Sequence, residues 1–560
     1  MTVSQKADEN GEKEYTDIIG GNGWYQIGIC IFCFFSAASH CLHDFTMTFF
    51  APNMDHWCAR PPEVLRANIS LEEWKNLSLP LVESPKGDYE YSQCTMYTNF
   101  AQNGSFYPNT NASVIKCTSW EYDTSVYKDT MVDEWDLVCD REWMISMSKT
   151  VYMMAFLFSS SLSGQMSDRF GRRKIFLVCL CTFLVFAHLT LLCTNIVMFM
   201  VFRFFMALGM TSVYVGSYVI LSEIVGVEYR TTYCFAFKYG WTFAYMLMPY
   251  IAWLLPSWFW LQFVFTVPWL LLLSAFWIVK ETPRWLLTKR RFDELEELLL
   301  YAAKKNGKNM NQAASEIKHY ISYHSQIKHK ENERTGTVVD LLRTPAIRKS
   351  TIIIYYSWFI NSYIYYALSY NTNDLGGNPY LNFFYSGAVE LPEGIIFMFL
   401  CRYIGNRRGV WLSHALSGIC LIVMVCIPSD IVWLMIFVSM AGKFFSSACF
   451  DTVYVYTAEI FPTVVRNVAV GTSSTWARIG ALTAPFVHQL AEVTYPWVPM
   501  AVPGAMTIVA GLLVLLLPET KDKTLPDTLE EGERFARKQY IDCRAEKCNG
   551  FSKEDETGQR

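Results

Sequence analysis

The sequence predicts an all-α membrane protein whose twelve transmembrane helices form two pseudo-symmetric halves of six. Three observations predict it: a dozen apolar runs of spanning length, Lys and Arg gathered into alternate short loops, and charged motifs that recur at a nearly constant offset. With 52% hydrophobic and 16% aromatic residues among 560, the chain has more apolar surface than a soluble fold of that size can bury. The net charge of -4 gives no sign of a nucleic-acid partner, and the charges avoid the apolar runs.

Residues 1–22 are polar, with Asp8, Glu9, Glu12, Lys13 and Glu14, and have neither a basic start nor a small-residue cleavage site. A cytosolic tail is expected there. The run at 24–50 is long enough to cross a hydrocarbon core of about 30 Å and reads as an uncleaved signal anchor. Further runs follow near 143–163, 175–195, 197–221, 232–255, 258–279, 350–370, 381–404, 410–428, 430–457, 467–490 and 497–517. The loops at 168–174, 228–230, 402–408 and Arg466 share one side and carry the basic residues. Those at 194–195, 256–257, 371–379, 428–430 and 494–496 contain no Lys or Arg, so the first side is cytosolic and both termini lie inside.

The organisation that follows is a tail (1–22), a first six-helix half (23–279), a cytosolic linker (280–348), a second half (349–517) and a cytosolic tail (518–560). Within the first half, residues 51–142 form a large outer loop. It carries Cys58, Cys94, Cys117 and Cys139, which in an oxidising compartment suggest two disulfides in one of three pairings. Four glycosylation sequons begin at Asn68, Asn76, Asn103 and Asn111 and cluster as a lumenal loop requires. Cys30 and Cys33 have redox-like spacing, but in an apolar helix they read as small packing residues.

The repeat is visible in three motifs. Gly164 to Lys174, with Asp168, Arg169, Gly171, Arg172 and Arg173, follows the second run, and Arg402 to Arg408, with Gly405 and Arg407, follows the eighth; Gly171 and Gly405 are 234 residues apart. Glu223 with Arg230 after the fourth run matches Glu459 with Arg466 after the tenth, at offset 236. Glu281 with Arg284 matches Glu519, at offset 238. Such agreement indicates duplication. Acids and guanidinium groups at helix ends can pair in one conformation and part in another, which makes these residues a candidate cytosolic gate. Plain positive-inside anchoring accounts for Arg172, Arg173 and Lys174 but not for the glycines, the acid or the repeat.

These motifs resemble the signature of the major facilitator superfamily. Within it, the cysteine-bearing outer loop, Asp168 to Arg173, Glu281 to Trp285, Val389 to Pro392, and Tyr456 to Glu459 with Pro462 resemble solute carrier family 22. The likeness extends over nearly the whole chain, and residues 371–384 look like invertebrate members. The resemblance implies a plasma-membrane carrier of small organic cations, anions or zwitterions, with solute held between the halves near the bilayer midplane.

Ionisable groups at membrane depth cost several kcal/mol unless they face a cavity or a partner, so Asp44, Lys149, Lys238, Glu390, Asp451 and Arg478 are candidate substrate contacts. Arg478 stands where the family's cation carriers have an aspartate and its anion or carnitine carriers an arginine, and a guanidinium can grip a carboxylate through two hydrogen bonds. The alternative is a structural pair with Glu390 or Asp451. Lys149 and Lys238 fall at positions resembling cavity-lining sites, or snorkel to an interface. Glu390 matches an acid that family cation carriers keep, or serves as a packing partner; Asp44 lines the cavity or the outer vestibule. Trp358 and Tyr365 resemble family aromatic contacts, and Tyr214, Tyr245 and Tyr454 offer further ring faces, although packing is the commoner fate of such residues. His40, His43 and Asp44 lack a fourth ligand, so no metal site is expected. The expected mechanism is alternating access by a non-enzymatic carrier that needs no cofactor, driven by the solute gradient or by a coupling ion such as sodium, a proton or an exchanged organic anion.

Overall fold

A computed structural model describes residues 14–83, 89–98, 101–102, 105–106, 113–326, 337–428, 430–495, 497–521, 523 and 525–537. Each apolar run is helical: α1 (Trp24–Asp44), α2 (Trp143–Phe170), α3 (Arg172–Leu189), α4 (Ile196–Ile224), α5 (Arg230–Leu254), α6 (Trp258–Thr266, continuing to Ile278), α7 (Pro345–Tyr370), α8 (Pro379–Ala388 and Glu390–Ile404), α9 (Asn406–Cys426), α10 (Val432–Ile460), α11 (Thr463–Thr483) and α12 (Val498–Val514). By length and apolar composition alone, seven of these passes can cross a membrane: α1, α3, α4, α6, α8, α9 and α10. Of the others, α12 is short, and α5 and α11 carry a charge in mid-course, Lys238 and Arg478.

Local chemistry sets several helix ends. Asn195 caps α4 by accepting from Met198 N–H at 2.9 Å, and Asn378 caps α8 by accepting from Tyr380 and Leu381 N–H. The second half of α8 starts afresh at Glu390 because Pro392 has no N–H to offer the Ala388 carbonyl. Pro268 has the same effect in α6, where a 3-10 stretch, Val267–Ser274, replaces the α-helix.

The two halves pack alike. In the first, α3 lies along α4 and α1 along α5; in the second, α9 lies along α10 and α12, and α7 along α11. A Cβ on Gly240 of α5 would sit 2.3 Å from the Phe34 carbonyl oxygen, and one on Gly480 of α11 would sit 2.2 Å from that of Phe359. Only glycine permits this backbone contact. The two positions are 240 residues apart, a further correspondence beside the three motif offsets.

In the loop between α1 and α2, Cys58 bonds Cys117 and Cys94 bonds Cys139, which selects one of the three pairings the sequence left open. Trp57, Val64 and Trp74 make a small core against the first bridge, and the Trp74 indole donates to the Cys58 carbonyl at 3.0 Å. Asn68 and Asn76 are exposed; Asn103 and Asn111 lie outside the described residues. His56 approaches Cys139 Sγ at 3.8 Å, but that sulfur is tied up in the disulfide and offers no thiolate to a metal.

Linker helices Phe292–Lys305 and Met310–Gln326 pack against the N-terminal helix Tyr15–Ile19. Asn306 joins these parts: its carboxamide accepts from Tyr25 N–H at 2.9 Å and donates to the Ile19 carbonyl at 2.9 Å and to Gln26 Oε1 at 3.0 Å.

Candidate functional site

The bundle has two ends, one bearing the disulfide-linked loop and the other the linker. Most hydrogen bonds between the halves cluster toward the loop end. Ser146 donates to the Pro485 carbonyl at 2.9 Å and to Gln489 at 2.8 Å, Thr150 to the Leu482 carbonyl at 3.2 Å, and Asn373 to the Thr48 carbonyl at 2.7 Å. Tyr245 and Ser386 share a bond of 2.9 Å.

At the linker end the motif residues that pair do so inside their own halves. Arg172 binds Asp168 at 2.7 Å and Glu223 at 3.0 Å, while the Glu281 carboxylate accepts from the Arg172 and Arg173 N–H groups at the start of α3. In the second half, Glu519 accepts from Arg407 N–H at the start of α9 and stands 3.6 Å from Arg407 Nε. Glu459 accepts from Asn406 at 2.7 Å and Thr520 at 2.6 Å. Gly171 at φ +111° and Gly405 at φ +89° turn the chain between helices, and a Cβ on either would collide with Glu281 or Glu519. The partners of Glu223 and Glu459 come from one helix away, as Arg172 and Asn406, and not from Arg230 and Arg466 of their own motifs. Among the described residues Arg230 and Arg284 make no ion pair, and Arg466 Nε and Nη2 lack a hydrogen-bond partner. Arg169 and Arg402 lie over the rings of Phe170 and Phe399.

Between the two ends, the candidate substrate residues separate into three groups. The first surrounds Arg478. Its guanidinium lies 5.3 Å from the Phe156 ring centroid, its Nε has no hydrogen-bond partner, and it forms no ion pair among the described residues. Neither Glu390 nor Asp451 is its partner. His40, on α1, stacks against Phe156 at 5.1 Å, Tyr214 at 4.6 Å and Trp241 at 5.4 Å, and neither ring nitrogen is hydrogen-bonded. Asp44, one turn beyond His40, accepts from Tyr366 at 3.4 Å through one oxygen, leaves the other without a partner, and lies within electrostatic reach of Arg478 and Arg203. Opposite charges and bare polar atoms thus meet where α1, α2, α4 and α5 face α7 and α11.

In the second group, Glu390 pairs with Lys443 at 3.3 Å, the two side chains being 2% and 1% exposed. Tyr365 donates to Glu390 at 2.8 Å and holds the Lys443 ammonium 3.1 Å from its ring centroid. These charges neutralise one another. Trp358 is likewise enclosed, donating to Thr457 at 3.0 Å and packed edge-on to Tyr454 at 4.3 Å. The third group is Lys238 of α5 with Glu393 of α8 at 3.3 Å and Asp451 of α10. Lys149 stands apart, its ammonium 5.1 Å from the Tyr370 ring centroid.

Sequence reasoning missed Arg203, Lys443 and Glu393, and the contributions of His40, Phe156 and Trp241. Arg203 is 1% exposed, donates to Thr46 at 2.6 Å and lies 4.5 Å from the Tyr152 ring centroid. The available signal for Arg203 and Lys443 was a single charge inside a strongly apolar run, and for Glu393 a second acid one turn after Glu390.

Comparison with known proteins supplies the remaining evidence. The family described as "Sugar (and other) transporter" matches residues 95–530. The chain is 36% identical to the organic cation transporter protein of Drosophila melanogaster, over 94% of this chain and 95% of that protein. It is 33% identical to solute carrier family 22 member 1 of Bos taurus, with 93% and 92% covered, and 32% identical to organic cation/carnitine transporter 2 of Homo sapiens, with 92% and 93% covered. Among solved structures, the xylose transporter XylE from E. coli in its inward open conformation shares the fold, with a TM-score of 0.57 at 14% identity over 91% of this chain and 99% of that one.

Proposed function

Since the chain belongs to solute carrier family 22 of the major facilitator superfamily, and is therefore a carrier of small organic ions and not an enzyme, we propose that its solutes are zwitterions or organic anions resembling carnitine, β-alanine or amine conjugates. The observation that carries this reading is the unpaired Arg478. A guanidinium at membrane depth without a carboxylate partner is expensive, and a solute carboxylate supplies the missing bidentate acceptor. The rings of His40, Phe156, Tyr214 and Trp241 then flank the solute's carbon skeleton. A cationic group at its other end finds Tyr214 and the open oxygen of Asp44. Glu390, Lys443 and Trp358 support the wall without touching solute.

Alternating access follows from rocking of the halves about this seam. The disulfide-linked loop faces outward at the plasma membrane, with Asn68 and Asn76 available for glycans and the linker in the cytosol. A second reading, an organic cation carrier, is favoured by the third group, where two acids face one lysine. Uptake of labelled carnitine, β-alanine and tetraethylammonium by expressing cells, with wild type and Arg478→Asp, separates the two. Carnitine or β-alanine entry that collapses in the variant is expected. Entry of tetraethylammonium alone, indifferent to the substitution, refutes the anionic-group reading.

A further inference from the structure

We propose that Glu393 is the binding site of a coupling proton, which it takes up when Lys238 leaves its carboxylate and releases when Lys238 returns. The inference rests on alternating access but not on which solute is carried.

Lys238 belongs to the first half, and both of its acidic partners belong to the second. Its Nζ lies 3.3 Å from Glu393 and also contacts Asp451. It sits eight residues into α5, about 12 Å from the linker end at 1.5 Å per residue. Among the described residues this is the cross-seam ion pair nearest that end. When the halves rock, contacts that cross the seam are the ones that must change.

The charges do not balance. One ammonium faces two carboxylates. Asp451, with its side chain 40% exposed, is within reach of solvent, whereas Glu393 is fully buried. Glu393 Oε2 accepts from Ser447 at 2.9 Å and meets Lys238, but Oε1 has no hydrogen-bond partner. The other titratable groups within reach are Glu390, next on α8 and neutralised by Lys443 of α10, and Cys449 of α10; α9 contributes His414, which is engaged by Ser357 and Cys449. None of these supplies a second cation to Glu393. Once Lys238 withdraws, the carboxylate is left in a low-dielectric site without a counter-charge, and a proton is the smallest cation that can replace the ammonium.

The step is a simple acid–base exchange: carboxylate plus proton gives carboxylic acid, and the returning ammonium drives the proton off. Lys238 lies on the linker side of the seam, so it parts from Glu393 as the linker end opens and returns as that end closes. One proton is then bound and released in each transport cycle.

The test uses cells expressing the full chain together with a cytosolic pH reporter. Labelled carnitine and labelled tetraethylammonium are both applied, first as counterflow at equal pH on the two sides and then with acid outside. Expected in wild type are a severalfold change of entry when the outside is acidified and a shift of cytosolic pH that accompanies the moving probe. Glu393→Gln loses both effects, while Glu393→Asp, which still titrates, keeps both. Wild-type counterflow without a shift of cytosolic pH overturns the proposal, as does a Glu393→Gln that keeps both effects. The wild-type signals decide the matter even where the amide variant folds poorly. A chain that moves tetraethylammonium and not carnitine defeats the solute assignment alone, because the proton signals are read on either probe.

Discussion

Lys443→Met removes the ammonium that lies 3.3 Å from Glu390 and leaves that carboxylate inside a wall where it is 2% exposed. Breaking a buried pair from one side costs about 3–5 kcal/mol. The Tyr365 hydroxyl, still donating at 2.8 Å, retains about 1–2 kcal/mol of that, so a net loss near the lower bound is expected. Removing the carboxylate charge as well, in Glu390→Gln with Lys443→Met, leaves a neutral amide for Tyr365 to bond and restores most of the stability. The assay is the fraction of tagged, detergent-solubilised protein that stays monodisperse after graded heating. The double variant should lie clearly above Lys443→Met and keep solute uptake, because neither residue is assigned to the solute. A double variant whose loss equals the sum of the two single losses refutes the reasoning.

Gly171→Ala and Gly405→Ala each place a Cβ at positive φ within 2.7 Å of an acid that caps the next helix, and each should cost about 1–3 kcal/mol in the same heating assay. Gly164→Ala, in the same motif but facing open space, should lie near wild type. Burial alone would raise the pKa of Glu121 in the outer loop, but bonds from Arg60 and Trp57 outweigh it and hold the carboxyl below the usual glutamate range. That stabilisation is present above the usual value of about 4.3 and fades as pH falls through the lower folded value; Arg60→Gln should move the onset of loop hydrogen exchange to higher pH. Asn306→Ala loses its bonds to Ile19, Tyr25 and Gln26, and limited proteolysis between residues 14 and 22 should accelerate.

How much of this was legible depended on distance along the chain. The turn at Gly171 and its repeat at Gly405 could be read because glycines, acids and guanidinium groups lie within a few residues of one another. The cap that Glu281 provides was hinted at only by the repeat, since it closes across 109 residues. Partner choice was not legible: Glu223 and Arg230 are neighbours in sequence, yet α3 brings Arg172 closer. The split of α8 was written in Pro392, but its consequence, which sets Glu390 and Glu393 on different errands, required α5 and α10 to be in place. Arg203 and Lys443 escaped notice because aromatic flanks dilute a single charge, and Glu393 because Glu390, one turn earlier, drew the reading to itself. Arg478 was visible for the opposite reason: polar and small neighbours, Ser473, Ser474, Thr475 and Gly480, mark its helix as facing something other than lipid.

The backbone contacts at Gly240 and Gly480 have a mechanical consequence. With only a hydrogen atom separating the paired helices, neither bundle has a soft layer to absorb displacement. Each behaves as a stiff beam, and a tilt imposed at one tip reaches the other undiminished. A bulky graft at either glycine should therefore slow turnover for every solute alike, much as a bent axle slows a wheel whatever its load.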